Sequence, residues 1–192
     1  MPFDFLKQQK QTNEKNNPCN GISCSYRPAF CTKKTTSSAT VTFDATTAKD
    51  ALPKATNNSV IGSVNTETGE VAFEAAVKNF SFTNPTLQGH FNGEKWMNSD
   101  TYPVFSFSGK IDKLSKINFT KDGVYNVTVN GNMKVRDISK SEKMEVVVTI
   151  IGGKIKTSSS FEIELADYGI TGTPIDAGKV AKEPKITMSA EF

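Results

Sequence analysis

The chain has 192 residues, enough for one domain with a buried core, and it contains no apolar run near the about 20 residues that a membrane-spanning helix needs. Its net charge of +3 is concentrated in residues 1–34, which carry six Lys and Arg against two acidic residues. The remainder is close to neutral and contains a single arginine, so nucleic-acid binding is not expected.

Residues 1–34 differ in composition from the rest of the chain. The run KQQKQTNEKNNP is polar and low in complexity, and PCNGISCSYRPAFC contains turn residues without a regular period. No apolar run of the length found in a secretory leader occurs here. We therefore expect an amino-terminal extension, 1–34, that is poorly ordered or loosely docked, followed by a separate domain over 35–192.

All three cysteines, Cys19, Cys24 and Cys31, lie in this extension. Their spacing matches neither a zinc ribbon nor a CxxC redox motif, and no histidine is near them. The spacing allows one disulfide with a third, free thiol. We favour the simpler interpretation, in which the domain over 35–192 needs no cysteine chemistry.

The first strand patterns appear in ATVTFDA and in the pair SVIGSV and EVAFEAAV, which flanks the turn-rich NTETG. This pair predicts a hairpin. Its second arm carries Phe73 and Val77 on one face. We expect that strand to run on through Phe82 and to end at Asn84-Pro85, because proline cannot donate to the ladder.

An irregular aromatic region follows, Leu87–Ile111, with the sequence LQGHFNGEKWMNSDTYPVFSFSGKI. It contains the only His and the only Trp of the chain, and it ends in a strand in which Phe105 and Phe107 alternate with serines. Such a region is typical of a loop that covers one end of a small β-barrel.

The most regular alternation follows the turn at Lys121–Gly123, in VYNVTVNGNMKV, with Gly131 inside the apolar row. MEVVVTI, the Gly152-Gly153 turn, KIKTSSSFEIEL and KITMSAEF complete about eight strands, nearly all with one apolar face. This pattern excludes a parallel α/β sheet and is compatible with an antiparallel barrel or sandwich. Because closure removes exposed edges, we predict an all-β, eight-stranded antiparallel β-barrel with an irregular aromatic loop region.

Three segments, in order, resemble the YceI-like family. They are HFN-x-EKWM-x-S-D-x-YP-x-FSFSGKI at 90–111, VNGNMKV at 129–135 and FEIELADYGI at 161–170, and with the early hairpin they cover 35–192. The resemblance implies a lipocalin-like bacterial barrel, periplasmic or secreted, that holds a polyisoprenoid or similar long-chain lipid in its interior. A cytoplasmic location is the alternative, since no leader is visible.

On this resemblance we expect a lipid carrier without catalysis, cofactor, metal or stable membrane insertion, and a homodimer stays open. The chain departs from the family at Arg136-Asp137-Ile138-Ser139 and at Glu164-Leu165-Ala166, which concerns the polar end of a ligand more than the fold. The ligand is expected to contact the inward apolar rows and the aromatic residues at the barrel mouth. These residues are Phe73, Val77, Phe82, Phe91, Trp96, Met97, Phe105, Phe107, Val127, Val129, Met133, Val148, Phe161, Ile163 and Tyr168.

Two other functions stay open. A barrel filled by its own side chains would be a structural or interaction protein of the envelope stress response, acting through its surface. An enzyme on a small apolar substrate would need a polar cluster among the inward rows, and they show none. His90 suggests a metal ligand or a general base, but it has few co-ligands, and we favour a hydrogen bond that orients its loop.

Overall fold

The computed structural model describes residues 32–192. The three cysteines and nearly all of the predicted extension therefore lie outside the described residues. The first strand begins at Lys33, ahead of the predicted boundary at residue 35. Its polar start, KKTTSS, has no apolar alternation, and its strand conformation comes from pairing with the next strand, as in the Lys33–Asn65 pair.

Residues 32–192 form nine strands, and every pairing between them is antiparallel. The strands are β1 (Lys33–Asp44), β2 (Lys54–Asn65), β3 (Glu70–Ala76), β4 (Ser81–Phe82), β5 (Val104–Ile111), β6 (Gly123–Val135), β7 (Ile138–Ile151), β8 (Lys154–Glu162) and β9 (Lys185–Glu191). The connections contain two α-helices, α1 (Pro85–Asn92) and α2 (Thr173–Asp176).

Eight of these nine strands form a closed ring in the order β1-β9-β8-β7-β6-β5-β3-β2, and pairing between β1 and β2 completes it. The predicted eight-stranded antiparallel barrel is confirmed. The ninth strand, β4, has only two residues and pairs with β2 at Ala55 and Thr56. It continues the line of β3 along β2, so it adds no position to the ring.

The strand predicted to run from residue 70 to Phe82 is interrupted by a 3-10 turn at Val77–Asn79. At this point the Val77 N–H donates to the carbonyl of Pro103, 2.9 Å away. The side-chain amide of the fully buried Asn57 donates to the carbonyl of Ala76 at 3.0 Å. A side chain thus satisfies a backbone group that would otherwise pair in the ladder, and the strand turns.

The predicted irregular region begins with a helix. Asn84 caps α1 by accepting a hydrogen bond from the Thr86 N–H at 2.9 Å, and Pro85 occupies the first helical position. The residues that end the strand ladder, as predicted, therefore also start a helix. None of the helices in residues 32–192 is long and apolar enough to cross a bilayer.

The inward faces of the strands form two hydrophobic clusters that follow one another along the barrel. Along β6, Val135 belongs to the first cluster, whereas Val127 and Val129 belong to the second. The first cluster also contains Phe91 of α1. The helix therefore covers the end of the barrel at which the first cluster lies.

Candidate ligand-binding cavity

The barrel encloses an apolar cavity of about 120 Å³ at the end covered by α1. All eight strands of the ring contribute apolar side chains to its wall. Ser106 reaches the wall only with its backbone, since its side chain shares the outer face with the exposed Glu74. The lining residues are Val41, Phe43, Val60, Phe73, Ala75, Phe80, Phe91, Met97, Phe105, Ser106, Phe107, Met133, Val135, Met144, Phe161, Ile163, Leu165, Ile170, Ile186 and Met188. A space with such a wall stays dry and accepts apolar molecules.

Several side chains that point into the barrel are only partly buried. Phe105, Phe107, Met133 and Phe161 belong to this group, and all four line the cavity. Protein interiors are normally packed to the density of organic crystals, which leaves few voids larger than a water molecule. The interior of this barrel is therefore incompletely filled by its own side chains.

A second apolar cavity, of about 40 Å³, lies further along the barrel. Val127, Val129 and Val148 of the second cluster line it. The two polar residues of its wall, Thr157 and Ser159, both belong to β8, and the Ser159 hydroxyl donates to the carbonyl of Glu145 at 2.7 Å. This space is also suited to hydrocarbon rather than to charge.

The cover of the barrel consists of α1 and the turn that follows it. Phe91 is the buried residue of α1, and its ring lies 5.0 Å from that of Phe82, 5.9 Å from Phe80 and 6.0 Å from Phe43, measured between centroids. The Met97 N–H donates to the carbonyl of Phe91 at 3.1 Å, which brings the Met97 side chain onto the cavity. The cover thus closes the main cavity with two large apolar side chains.

A mouth pocket of about 70 Å³ lies on the other side of this cover. Phe43 and Phe91 line both this pocket and the main cavity, so they separate the two. Trp96 and His90 also border the mouth pocket. His90 is exposed on α1, and its backbone carbonyl accepts a hydrogen bond from the Gly93 N–H at 3.1 Å.

Charged groups lie at the rim and on the outside of the barrel. Burial tends to raise the pKa of Asp44, but hydrogen bonds from Lys54 and Thr46 outweigh it and bring the pKa below its usual value. Burial raises the pKa of Tyr168, and the Glu142 carboxylate that accepts its hydroxyl at 3.1 Å raises it further. Within residues 32–192, no three His, Cys, Asp or Glu side chains are grouped so that they could hold one metal ion.

The structure distributes the predicted ligand contacts over three adjacent regions. Those on the main cavity are Phe73, Phe91, Met97, Phe105, Phe107, Met133, Phe161 and Ile163. Those on the second cavity alone are Val127, Val129 and Val148, and those on the mouth pocket alone are Phe82 and Trp96. Val77 and Tyr168 are buried but lie outside the walls of these three spaces.

Sequence reasoning missed part of the wall. Phe43, Ile186 and Met188 occupy inward positions of alternating strands, so the same period-2 signal could have selected them. Phe80 and Ile170 lie outside the strands, where alternation carries no information. Only the closed fold brings those two side chains to the cavity.

The comparisons with known proteins agree with the fold. The sequence profile of the YceI-like domain matches residues 30–192. No curated protein shows significant sequence similarity to the chain.

Solved structures share the fold at low sequence identity. One is a polyisoprenoid binding domain from Saccharophagus degradans implicated in plant cell wall breakdown, with 11% identity and a TM-score of 0.70 over 83% of this chain and 97% of that one. BcnA from Burkholderia cenocepacia has 16% identity and a TM-score of 0.67 over 80% and 96%. A YceI protein from Campylobacter jejuni has 15% identity and a TM-score of 0.51 over 70% and 80%.

Proposed function

The chain belongs to the YceI-like domain family, and from this membership and its enclosed cavity we propose that it binds a polyisoprenoid or another long-chain apolar lipid inside the barrel. The observation that carries the proposal is a cavity of about 120 Å³ to which every strand of the ring contributes apolar side chains. A barrel that acted only through its surface would gain nothing from leaving this space unfilled, because a packed core is more stable.

The chemistry of the wall favours hydrocarbon. Transfer of apolar surface out of water is favourable by about 25 cal/mol per Å², or about 0.8 kcal/mol for each buried CH₂ group. Affinity therefore comes from the length of chain that the barrel encloses. The similar domain from Saccharophagus degradans is named for polyisoprenoid binding, which supports the same class of ligand here.

Binding without catalysis is part of the proposal. Among residues 32–192, the side chains on the main cavity are apolar, because Ser106 alternates with the inward-facing Phe105 and Phe107 and pairs with the exposed Glu74 on the outer face. Such a wall offers no base and no nucleophile to a bound molecule. The protein would shield the hydrocarbon from water and release it at another place. A periplasmic or secreted location fits such a carrier and its family, and it belongs to this proposal.

Two alanines of β3 supply a matched pair of variants. Ala75 is buried and lines the cavity, whereas Ala72 is exposed on the opposite face of the same strand. Ala75→Leu adds three carbon atoms inside the cavity without introducing a charge, and Ala72→Leu adds the same atoms outside.

The test is native mass spectrometry of the protein purified from its source, followed by organic extraction and addition of prenols. We expect a hydrocarbon-rich adduct on the wild-type protein and on Ala72→Leu, and a loss of at least tenfold in prenol affinity in Ala75→Leu. A bare chain that takes up none of the added prenols would overturn the proposal. Equal affinity in the two variants would show that prenols bind elsewhere on the protein.

A further inference from the structure

Four side chains line both the main cavity and the second cavity, and so lie at the boundary between them: Phe73, Phe107, Met144 and Met188. The two phenylalanines face each other directly in the pairing of β3 with β5. The methionines, on β7 and β9, are flexible and adapt to their surroundings. The two rings are therefore the stiff part of this boundary.

Each ring lies against a glycine of a neighbouring strand. A Cβ atom added to Gly62 would lie 2.5 Å from Cε1 and 2.7 Å from Cδ1 of Phe73. A Cβ atom added to Gly131 would lie 2.5 Å from Cζ of Phe107. These distances are too short for real contacts. The two rings therefore occupy the space that the Cβ atom of any other residue at positions 62 and 131 would need.

The two rings lean in opposite directions. Phe73 of β3 leans toward β2, where it pairs with Gly62, and Phe107 of β5 leans toward β6, where Gly131 lies. The ring of Phe192 contacts Phe73 edge-on at a centroid distance of 6.2 Å, which holds the Phe73 ring in place. The glycines thus let both rings lie along the barrel wall at the boundary between the cavities.

We infer that Phe73 and Phe107 form an aromatic constriction that determines how far an apolar chain extends into the barrel, and that Gly62 sets its width. This inference rests on the proposed function and adds its specificity-determining residues. Empty space on both sides of the rings distinguishes a partition from an ordinary core layer, which would have packed side chains on both sides.

Gly62→Ala is the informative variant for narrowing the constriction. The atoms nearest to its added Cβ belong to side chains, those of Phe73 and, at 3.3 Å, Thr36 Cγ2, so the ring can give way by moving into the interior. Gly131→Ala would instead meet backbone, with the carbonyl oxygen of Ser108 at 2.5 Å, and would disturb the sheet. Phe73→Leu removes a ring and so widens the constriction. The double variant combines it with Gly62→Ala, and the alanine then has no Phe73 ring to displace.

The experiment is calorimetric titration with a homologous series of straight-chain primary alcohols. In the wild-type protein, affinity should rise about fourfold per methylene until the chain reaches the constriction and should level off beyond that length. We expect Phe73→Leu to move this break to longer alcohols and Gly62→Ala to move it to shorter ones. The double variant should behave like Phe73→Leu.

The outcomes separate this inference from the proposed function. Failure of the wild-type protein to bind any alcohol or prenol would overturn both. Binding with the same break in the wild-type protein, Gly62→Ala and Phe73→Leu would overturn the constriction alone. Should Gly62→Ala fail to fold in a thermal melt, Phe73→Leu and Phe107→Leu still decide the question, because a break that stays in place in both would overturn it.

Discussion

Phe91 holds α1 on the barrel, and its replacement by alanine tests whether the helix is a removable cover. Phe91 is the buried residue of α1, and the other side chains of this eight-residue helix are exposed or only partly buried. Truncation of a buried Phe costs about 3–5 kcal/mol. The Phe91 ring borders empty space on two sides, the main cavity and the mouth pocket, so we expect the lower end, about 3 kcal/mol.

The lost free energy first weakens the docking of α1 on the barrel, because the Phe91 ring makes that contact. We expect hydrogen exchange at the amides of residues 88–92 to accelerate about 100-fold in Phe91→Ala, while the amides of β6 and β7 keep their protection. The free energy of global unfolding, measured in urea, should fall by no more than about 3 kcal/mol, because undocking of the helix limits the loss. Uptake of a fluorescent prenol analogue should become faster.

Thr86→Ala is the matched control, since Thr86 is exposed on the same helix and its capping contribution comes from its backbone N–H. It should leave both exchange and uptake unchanged. The reasoning would be refuted if Phe91→Ala lowered the free energy of global unfolding by about 3 kcal/mol while the amides of α1 kept their protection from hydrogen exchange. Phe91 would then be an ordinary core residue, and α1 would not act as a cover.

Two further predictions concern the β1–β2 side of the barrel. The pKa of Asp44 is lowered in the folded protein, so its carboxylate stabilises the fold above about pH 4, and this contribution is lost as the pH falls through the lowered value. Asp44→Asn should therefore cost about 1 kcal/mol at pH 7, and the cost should shrink as the pH falls below about 4, measured by urea unfolding over this range. Asn57→Ala should cost about 3 kcal/mol in the same assay at pH 7, because Asn57 is fully buried and its loss leaves the carbonyl of Ala76 and the N–H of Ser59 without their partners. A cost of under about 1 kcal/mol would show that the turn after β3 does not depend on that amide.

Alternation of apolar and polar residues predicts antiparallel strands with one face inside and one outside, and the removal of exposed edges by closure favours a barrel over a sandwich. The rows along β6 and β9 show this directly, with Val127 and Val129 inside and Lys185 and Glu191 exposed. The same signal fails where the chain leaves the ladder. The amino-terminal half of β1 is polar on both faces, and α1 buries one side chain, so neither shows a period.

The helix could have been predicted from its start. Asn84-Pro85 is a capping residue followed by the residue favoured at the first helical position, although the same pair also fits the end of a strand. No local sequence pattern of this kind predicts the division of the interior into two cavities. It depends on the register that places Phe73 opposite Phe107 and on glycines from two other strands, and spacing within one strand does not reveal register between strands.

The sizes of the spaces connect the cover with the constriction. An apolar cavity of about 150 Å³ in another protein holds a molecule the size of benzene. The main cavity here measures about 120 Å³, the second about 40 Å³ and the mouth pocket about 70 Å³, so none of them alone encloses a chain of several isoprene units. A long lipid can enter only if Phe91 moves with α1 or if the rings at the constriction shift.

Since Phe91 lies between the mouth pocket and the main cavity, undocking of α1 should limit the rate of uptake, whereas the constriction should limit the length of chain that is held. The two variants should therefore have different effects. Phe91→Ala should change the association rate, and Phe73→Leu should change the preferred chain length.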